Sequence, residues 1–368
     1  MIYLDHGATS FPKPAPVAAA VNKALFTCAN SGRGGYEPAM EAAKTVFRCR
    51  ERAADLFGCQ PEQVAFTSSC THGLNIALRS LVKPGDNVVI SGFEHNAVVR
   101  PLHGLGAKIL VAGRRLFDPE DTIKEFEIIL KTGVKIAVFT HVSNVFGYIL
   151  PIEELSRLCR ENGVKFVIDA AQSAGSIPID MQALGADFIA MPGHKGLLGP
   201  QGTGLLLCAG EPEPFIYGGT GSYSASREMP AWLPDRLEAG TLNVPGIAGL
   251  SAGIAHIKQL RIDRILEREQ REARRCGKQL EKLGFQVFMG QHQSGTISFV
   301  PDIDCEEFAG YLGEQGIAVR AGLHCAPLAH ESAGTLKTGT VRVSFGHDAS
   351  PWQTGNLLLA VEKMKTET

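Results

Sequence analysis

The sequence predicts an α/β fold in which a large domain carries a mostly parallel, seven-stranded sheet between helices, followed by a smaller α+β domain. Seven short runs rich in Val, Ile and Phe alternate with helix-like segments between residues 63 and 209. Apolar runs that are joined by helices indicate parallel strands buried on both faces. This alternation stops near residue 245, and 368 residues are enough for two domains.

The predicted strands of the large domain follow one another at short intervals. They cover residues 63–69, 86–92, 107–113, 135–143, 165–173, 186–193 and 202–209. The segments between them have apolar residues at helical spacing, as in "EDTIKEFEIILK" and "IEELSRLCRENG". Ligands bind at the carboxyl ends of the strands in such sheets, so the residues directly after each run are candidate site residues.

The pattern changes after "AGTLNVPG" (239–246), where one or two long helices with a charged face are predicted. Shorter elements follow, and Ser350-Pro351 is a good start for the last helix. We therefore assign 15–245 to the large domain. The small domain takes 1–14 and 246–368, which include the segment "VRAGLHCAPL".

The composition argues against nucleic acid or membrane as a partner. The formal net charge is -2, from 36 basic and 38 acidic residues, so there is no electrostatic reason to expect a polyanionic partner. No apolar stretch approaches ~20 residues, and "MIYLDHGATSFPKP" lacks the features of a signal peptide. We expect a cytoplasmic protein.

The nine cysteines do not predict a disulfide framework or a zinc site. Their number is odd, their spacing is irregular, and no Cys-x-x-Cys occurs. A structural zinc site needs paired ligands at short spacing, so we expect no metal. Most of these cysteines are expected to be small buried hydrophobic residues.

Polar side chains follow five of the predicted strands. They are Cys70 with Thr71, His95, Asn144, Asp169 with Gln172, and His194 with Lys195. Taken alone, the first pair fits an ordinary capped helix as well as an anion site, and His95 fits a histidine with satisfied hydrogen bonds. Asp169 and Lys195 are more informative, because a charge at the end of an apolar strand needs a partner or neutralisation.

Together these residues fit pyridoxal 5'-phosphate as a cofactor. This cofactor needs an anion site for its phosphate, an acid at its ring nitrogen and a lysine that holds its aldehyde as a Schiff base. Condensation with the aldehyde would also remove the charge of the Lys195 ammonium group.

Nine stretches in consistent order resemble the class V aminotransferase-like family of fold-type I pyridoxal-phosphate enzymes. They include "YLDHGATS", "AFTSSCTHGLNIAL", "VIDAAQSAG", "PGHKGLLGPQGTG" and "VRAGLHCAPLAH". Within this family the chain resembles the SUF-like, type II cysteine desulfurases. The resemblance implies that L-cysteine is converted to L-alanine and that the enzyme works as a homodimer.

The resemblance also implies a role for each strand-end residue. Lys195 would form the Schiff base and move the substrate Cα proton, Asp169 would bind the ring nitrogen, and Gln172 would bind the phenolic oxygen. His95 would stack on the ring and relay protons, and Asn144 would lie at the ring and substrate. The implied phosphate contacts are Thr71, the Cys70 backbone, His194 and, from the other subunit, Gly240 and Thr241.

Cys325 is the residue that the resemblance implies as the persulfide carrier. Composition alone favours a small buried cysteine there, whereas His324 and the basic Arg320 nearby favour a thiolate. Arg342 would grip the substrate carboxylate, for which bidentate pairing suits an arginine, and we place Arg320 on the substrate side with it. A surface strand arginine is the alternative for Arg342.

Four departures from the family pattern concern the substrate pocket. His6-Gly7 replaces Asn-Ala, Pro192 replaces Ser or Thr, and Leu323 replaces a frequent histidine. In "SGRGGY" (31–36) only Arg33 and Gly34 align. Cysteine sulfinate, selenocysteine or another small amino acid therefore stays open as the substrate. A selenocysteine lyase or another class V lyase, and a non-catalytic cofactor-binding scaffold, are the alternative functions. The sulfur acceptor would be a carrier protein for iron–sulfur assembly, thiolated tRNA or molybdenum cofactor.

Overall fold

The computed structural model describes residues 1–32 and 34–367, so Arg33 and Thr368 lie outside the described part. The strands are β1 (Ile2–Tyr3), β2 (Val64–Thr67), β3 (Asn87–Ser91), β4 (Lys108–Ala112), β5 (Ile136–Thr140), β6 (Lys165–Asp169), β7 (Phe188–Pro192), β8 (Gly204–Cys208), β9 (Gln286–Phe288), β10 (Thr296–Val300), β11 (Ile317–Ala318), β12 (Arg320–Gly322) and β13 (Thr340–Ser344).

The helices cover both faces of the large sheet and the outside of the small one. They are α1 (Ala15–Thr27), α2 (Glu37–Phe57), α3 (Cys70–Leu81), α4 (Asn96–Gly104), α5 (Pro119–Leu130), α6 (Ile152–Glu161), α7 (Met181–Leu184), α8 (Val244–Leu260), α9 (Ile262–Lys282), α10 (Cys305–Glu314), α11 (Pro327–Ala333) and α12 (Pro351–Glu367).

The large sheet has seven strands in the order β2-β8-β7-β6-β5-β3-β4. Strand β8 pairs antiparallel with both β2 and β7, and the pairs from β7 to β4 are parallel. The predicted α/β fold with a mostly parallel, seven-stranded sheet is therefore confirmed. The register aligns Thr140 with Asp169 and Asp169 with Ala190, which places the carboxyl ends of β5, β6 and β7 at the same edge.

Two apolar clusters hold this sheet between its helices. On one face Phe139 of β5 stacks on Phe166 of β6 with ring centroids 5.8 Å apart, and Phe126 of α5 meets Phe139 edge-on. On the other face Val138 and Val167 pack in the cluster that includes α3. Burial of each such side chain stabilises the fold by about 1.5–3 kcal/mol, which accounts for the continuous apolar runs in the sequence.

The segment predicted as one or two long helices forms two helices, α8 and α9. The break falls at Arg261, whose φ of 68° ends the first helix. Helix α8 packs against α1 and α2, and its Ile247, Leu250 and Ile254 join the first apolar cluster. The domain boundary at 245 stays a prediction.

A second sheet, antiparallel and ordered β12-β13-β10-β9, is formed by the C-terminal third of the chain. The N-terminal segment returns to this region, because β1 pairs with β11 and Leu4 packs in the same apolar cluster. Along the described ranges 1–32 and 34–367, no helix is long and apolar enough to cross a bilayer.

Candidate active site

A pocket of about 110 Å³ opens where β5, β6 and β7 end. Its lining includes eight of the residues that the sequence predicts for the site. They are Cys70, Thr71, His95, Asn144, Asp169, Gln172, His194 and Lys195. The parallel strands bring them together, since residues far apart in the chain leave the sheet at one edge.

Asp169, the last residue of β6, supplies a buried carboxylate to this pocket. Its Oδ1 accepts two hydrogen bonds, one from the backbone N–H of Ala171 at 2.9 Å and one from the Cys70 thiol at 3.4 Å. Burial, and secondly the Asp169 charge, raise the pKa of Cys70 well above its ordinary value, so this thiol stays protonated and donates. Cys70 thus contributes a side-chain contact, where the sequence suggested its backbone only.

Lys195 follows β7 in a tightly packed turn, in which Gly193 and Gly196 flank His194 and Lys195. A Cβ at Gly193 would lie 2.1 Å from Thr203 Oγ1, and one at Gly196 would lie 2.4 Å from the Ala174 carbonyl oxygen. Burial, and secondly Arg342, lower the pKa of Lys195, whereas Asp169 opposes the shift. A lysine with a lowered pKa has more of the neutral amine that reacts with an aldehyde.

The start of helix α3, where the sequence predicts an anion site, lies at the pocket. Ser69 caps the helix by accepting from the backbone N–H of His72 at 3.2 Å, and Thr71 is exposed in the first turn. Unpaired N–H groups and the helix dipole favour an anion at this end. On the opposite side burial, and secondly Lys195, lower the pKa of His194 to about 4, and its Nδ1 lies 3.1 Å from Thr9 Oγ1.

His95 caps helix α4 on the side of the pocket that faces the predicted cysteine loop. Its Nδ1 accepts from the backbone N–H of Ala97 at 3.0 Å, which places the proton of the neutral ring on Nε2. Burial lowers the pKa of His95, with Asp169 opposing, so a neutral imidazole is favoured. A flat, neutral ring at the pocket wall is suited to stacking.

The loop with Cys325 lies at the pocket mouth. Cys325 is exposed, whereas the other eight cysteines are buried or partly buried. His324 and Cys325 both have left-handed backbone, with φ of 50° and 56°. Two bonds tie this loop to residues outside it: Asn144 Nδ2 donates to the His324 carbonyl at 2.8 Å, and the Asn96 N–H donates to the Cys325 carbonyl at 2.8 Å. Cys325 and His95 share a groove of about 480 Å³.

Arg342, in β13, lies behind the pocket with only 2 % of its surface exposed. Its Nη1 donates to the Asn144 carbonyl at 2.9 Å, and its Nη2 donates to Asp5 Oδ1 at 2.6 Å. Burial lowers the pKa of Arg342, and Asp5 opposes this shift. Arg320, its cross-strand neighbour in β12, is about half exposed, with Nε 3.9 Å from Asp5 Oδ2.

Asp5 is a site residue that the sequence reasoning missed. The signal was available, because Asp5 directly follows the short apolar run "IYL" in a segment that matches the family.

Gly240 and Thr241 do not line the strand-end pocket. They line a separate open cavity of about 690 Å³, together with Arg50, Phe47 and Asp235. Their implied contact with the phosphate of another subunit stays a prediction.

Comparisons with known proteins agree with this geometry. A family model described as aminotransferase class-V matches residues 2–353. The chain is 32% identical over 366 residues to a probable cysteine desulfurase of Methanothermobacter thermautotrophicus, covering 94% of this chain and 90% of the relative. It is 34% identical to a probable cysteine desulfurase of Pyrococcus abyssi, with coverage of 94% and 89%.

Solved structures give the same result. The apo structure of a cysteine desulfurase from Thermococcus onnurineus NA1 superposes with a TM-score of 0.92 at 31% identity, covering 100% of this chain and 95% of that one. The cysteine desulfurase CsdA (S-sulfonic acid) from Escherichia coli has a TM-score of 0.86 at 27% identity, with coverage of 98% and 94%.

Proposed function

The chain belongs to the class-V aminotransferase family, a family of pyridoxal-phosphate enzymes, and we infer that it is a cysteine desulfurase. It converts L-cysteine to L-alanine and transfers the sulfur to an acceptor. The observation that carries this proposal is the convergence of eight predicted side chains on one pocket, with Cys325 at its mouth.

The residues of the pocket fit pyridoxal 5'-phosphate. The α3 N-terminus suits a phosphate, Asp169 suits a protonated ring nitrogen, and the Lys195 amine suits an aldehyde. Asn144 Oδ1 is buried and accepts no hydrogen bond from any residue that the structure describes. A buried acceptor of this kind calls for a donor from a ligand. When bound, the cofactor supplies an electron sink for the negative charge that develops at the substrate Cα.

The protein side chains then hold and move protons. Lys195, whose pKa is lowered by burial, can take the substrate Cα proton. When the cofactor is bound, the Asp169 carboxylate would stabilise the positive charge of the protonated ring nitrogen. Gln172 is oriented by its bond from Nε2 to the Gly7 carbonyl at 2.9 Å, which directs its remaining polar atoms. Arg342 binds the substrate carboxylate.

Cys325 acts as the nucleophile toward sulfur. Its thiolate forms an S–S bond with the substrate sulfur while the substrate Cβ–S bond breaks. The electron pair of that bond stays with the carbon skeleton, which takes a proton and is released as alanine. The persulfide that remains on Cys325 is exposed, so an acceptor thiol can reach it.

Three further parts of the proposal concern the setting of the reaction. The enzyme is a cytoplasmic homodimer in which Gly240 and Thr241 reach the phosphate of the other subunit. The half-exposed Phe47 in their cavity supports a surface that a second subunit covers. The acceptor is a sulfur carrier protein, in iron–sulfur assembly or thio-cofactor synthesis.

The test is to measure sulfide and alanine released from L-cysteine with a reductant, with selenocysteine as a parallel substrate. Equal amounts of both products, and the gain of one sulfur atom on the Cys325 peptide by mass spectrometry, are expected. Cys325→Ser should abolish sulfide release, whereas Cys28→Ser, which changes a partly buried cysteine at the end of helix α1, should not. Turnover of selenocysteine alone would establish the lyase instead, and cofactor binding without any product would establish the scaffold.

A further inference from the structure

Asp5 and Arg342 form an ion pair at the rear of the strand-end pocket. Asp5 Oδ1 accepts from Arg342 Nη2 at 2.6 Å, and the two side chains are 16% and 2% exposed. Packing does not require an ion pair at this place. Apolar residues would fill the same space without the cost of desolvating two charges. A retained buried pair next to a pocket suggests a role for its geometry.

The guanidinium group of Arg342 is held at two of its three nitrogens. Nη1 is bound to the Asn144 carbonyl and Nη2 to Asp5. Nε is buried and has no hydrogen-bond partner among residues 1–32 and 34–367. Nη1 and Nη2 each use one of their two N–H groups in these bonds, which fixes the orientation of the planar fork. The buried Nε–H is therefore among the donors left for a ligand.

The position of Asp5 is itself fixed by the backbone around it. The Leu4 N–H donates to the Ala318 carbonyl at 2.9 Å, and the Leu4 carbonyl accepts from the Ser344 N–H at 2.8 Å. Asp5 and Ser344 form an isolated parallel β-bridge. The Asp5 carboxylate is thus anchored to the same strand, β13, that carries Arg342. Because Asp5 does not move independently of β13, its carboxylate can set the angle of the Arg342 guanidinium plane.

The local charges also match the ligand that the proposed function requires. Arg320 lies directly across from Arg342 in the β12–β13 register, and Asp5 lies near both. Two guanidinium groups and one carboxylate leave one positive charge uncompensated. A single carboxylate, such as that of an amino acid, balances it.

We propose that Asp5 is a positioning residue, which orients Arg342 so that its free N–H binds the carboxylate of the amino-acid substrate. The proposal rests on the proposed function for the identity of the substrate. It predicts that the loss of Asp5 weakens only those ligands that carry a carboxylate.

The experiment uses the cofactor-loaded protein and two probes that divide L-cysteine into its parts. 3-Mercaptopropionate has the carboxylate without the amine, and cysteamine has the amine without the carboxylate. In Asp5→Ala the Kd of 3-mercaptopropionate and the KM of L-cysteine should rise roughly tenfold or more, with kcat changed less than about threefold. The Kd of cysteamine should change less than about twofold.

Asp5→Asn tests the orientation directly, because its amide oxygen can still accept from Arg342 Nη2. It should recover most of the affinity for 3-mercaptopropionate. If Asp5→Ala does not fold, Asp5→Glu keeps the charge but moves the acceptor by one methylene, and the same carboxylate-selective loss is expected. Asp302→Ala, which removes an exposed carboxylate that pairs with Lys365 at 3.2 Å, is the matched control and should behave as the unmodified protein.

Equal weakening of both probes, or no weakening of either, overturns the proposal, because a structural role would not distinguish them. The binding measurements need no turnover. A protein that releases no sulfide from L-cysteine, but whose Asp5 variants lose only 3-mercaptopropionate, would refute the proposed function and leave the role of Asp5 intact.

Discussion

The side chain of Asn144 donates from Nδ2 to the His324 carbonyl oxygen at 2.8 Å, which joins the end of β5 to the cysteine loop. The backbone carbonyl of the same residue accepts from Arg342. One residue thereby connects the arginine proposed for the substrate carboxylate to the thiol proposed for its sulfur. The groups that would bind the carboxylate and the sulfur of a small amino acid are therefore both positioned by Asn144.

Asn144→Ala is expected to loosen the cysteine loop. The variant removes one of the two bonds that hold a backbone in the left-handed region at His324 and Cys325. A lost hydrogen bond of about 1 kcal/mol corresponds to roughly fivefold faster opening. Hydrogen exchange of the peptide that covers 320–328 should show this acceleration.

The control for this variant is Asn356→Ala. Asn356 donates in the same way to a carbonyl, that of Trp352, but lies on α12. Its loss should leave exchange at 320–328 unchanged. Equal exchange in Asn144→Ala and the unmodified protein would mean that the Asn96 bond alone holds the loop.

Lys195→Ala is expected to lose the cofactor. The variant removes the buried amine that can bond to the aldehyde, and only the weaker contacts of the pocket remain. After dialysis the visible absorbance of the variant should fall to a small fraction of that of the unmodified protein. Lys165→Ala removes an exposed lysine at the start of β6 and should keep its absorbance. A Lys195→Ala protein that stays fully yellow would contradict the assignment.

The existence and order of the strands were predictable from the sequence, because buried parallel strands consist of continuous apolar runs. The prediction of a strand at 165–173, for instance, is confirmed for Lys165–Asp169, whereas residues 170–173 lie beyond the end of the strand. Local patterns carry this information, since each strand is buried by its neighbours whatever their identity.

Contacts between distant residues were not predictable in this way. Asp5 and Arg342 are separated by 337 positions, and Asn144 and His324 by 180. No local periodicity indicates which acid meets which base after folding. The break at Arg261 was equally hidden, because its positive φ occurs in a residue that is not glycine.

The buried pair of Arg50 and Glu238 predicts a large effect on stability. Arg50 bonds to Glu238 and to the Val64 carbonyl, and Glu238 Oε1 accepts from the Phe66 N–H at 2.7 Å. Arg50→Ala leaves the carboxylate buried without its cation, so the free energy of unfolding should fall by about 3–5 kcal/mol. Denaturant unfolding measures this loss.

Lys131→Ala is the comparison for Arg50→Ala. Lys131, directly after the end of α5, pairs with Glu127 of that helix. Both side chains are exposed, so water screens their charges. The loss should be small compared with that in Arg50→Ala. Similar losses in both variants would show that the Arg50–Glu238 pair is worth no more than a surface pair.

His324 is expected to make the protein less stable in acid. Burial, and secondly Arg342, lower the pKa of His324 from 6.5 to about 3. As the pH falls below about 6.5, the unfolded chain takes up a proton at this site and the folded chain does not. The stability that the neutral imidazole contributes is therefore present above pH 6.5 and is lost progressively toward pH 3.

His324→Gln tests this, because glutamine cannot take up the proton. Between pH 7 and pH 5 the free energy of unfolding of the variant should fall by about 2 kcal/mol less than that of the unmodified protein. Chemical denaturation at the two pH values measures both slopes. The same pH dependence in His324→Gln and the unmodified protein would show that His324 is not the group that takes up this proton, because a site that has lost its imidazole can no longer contribute to the slope.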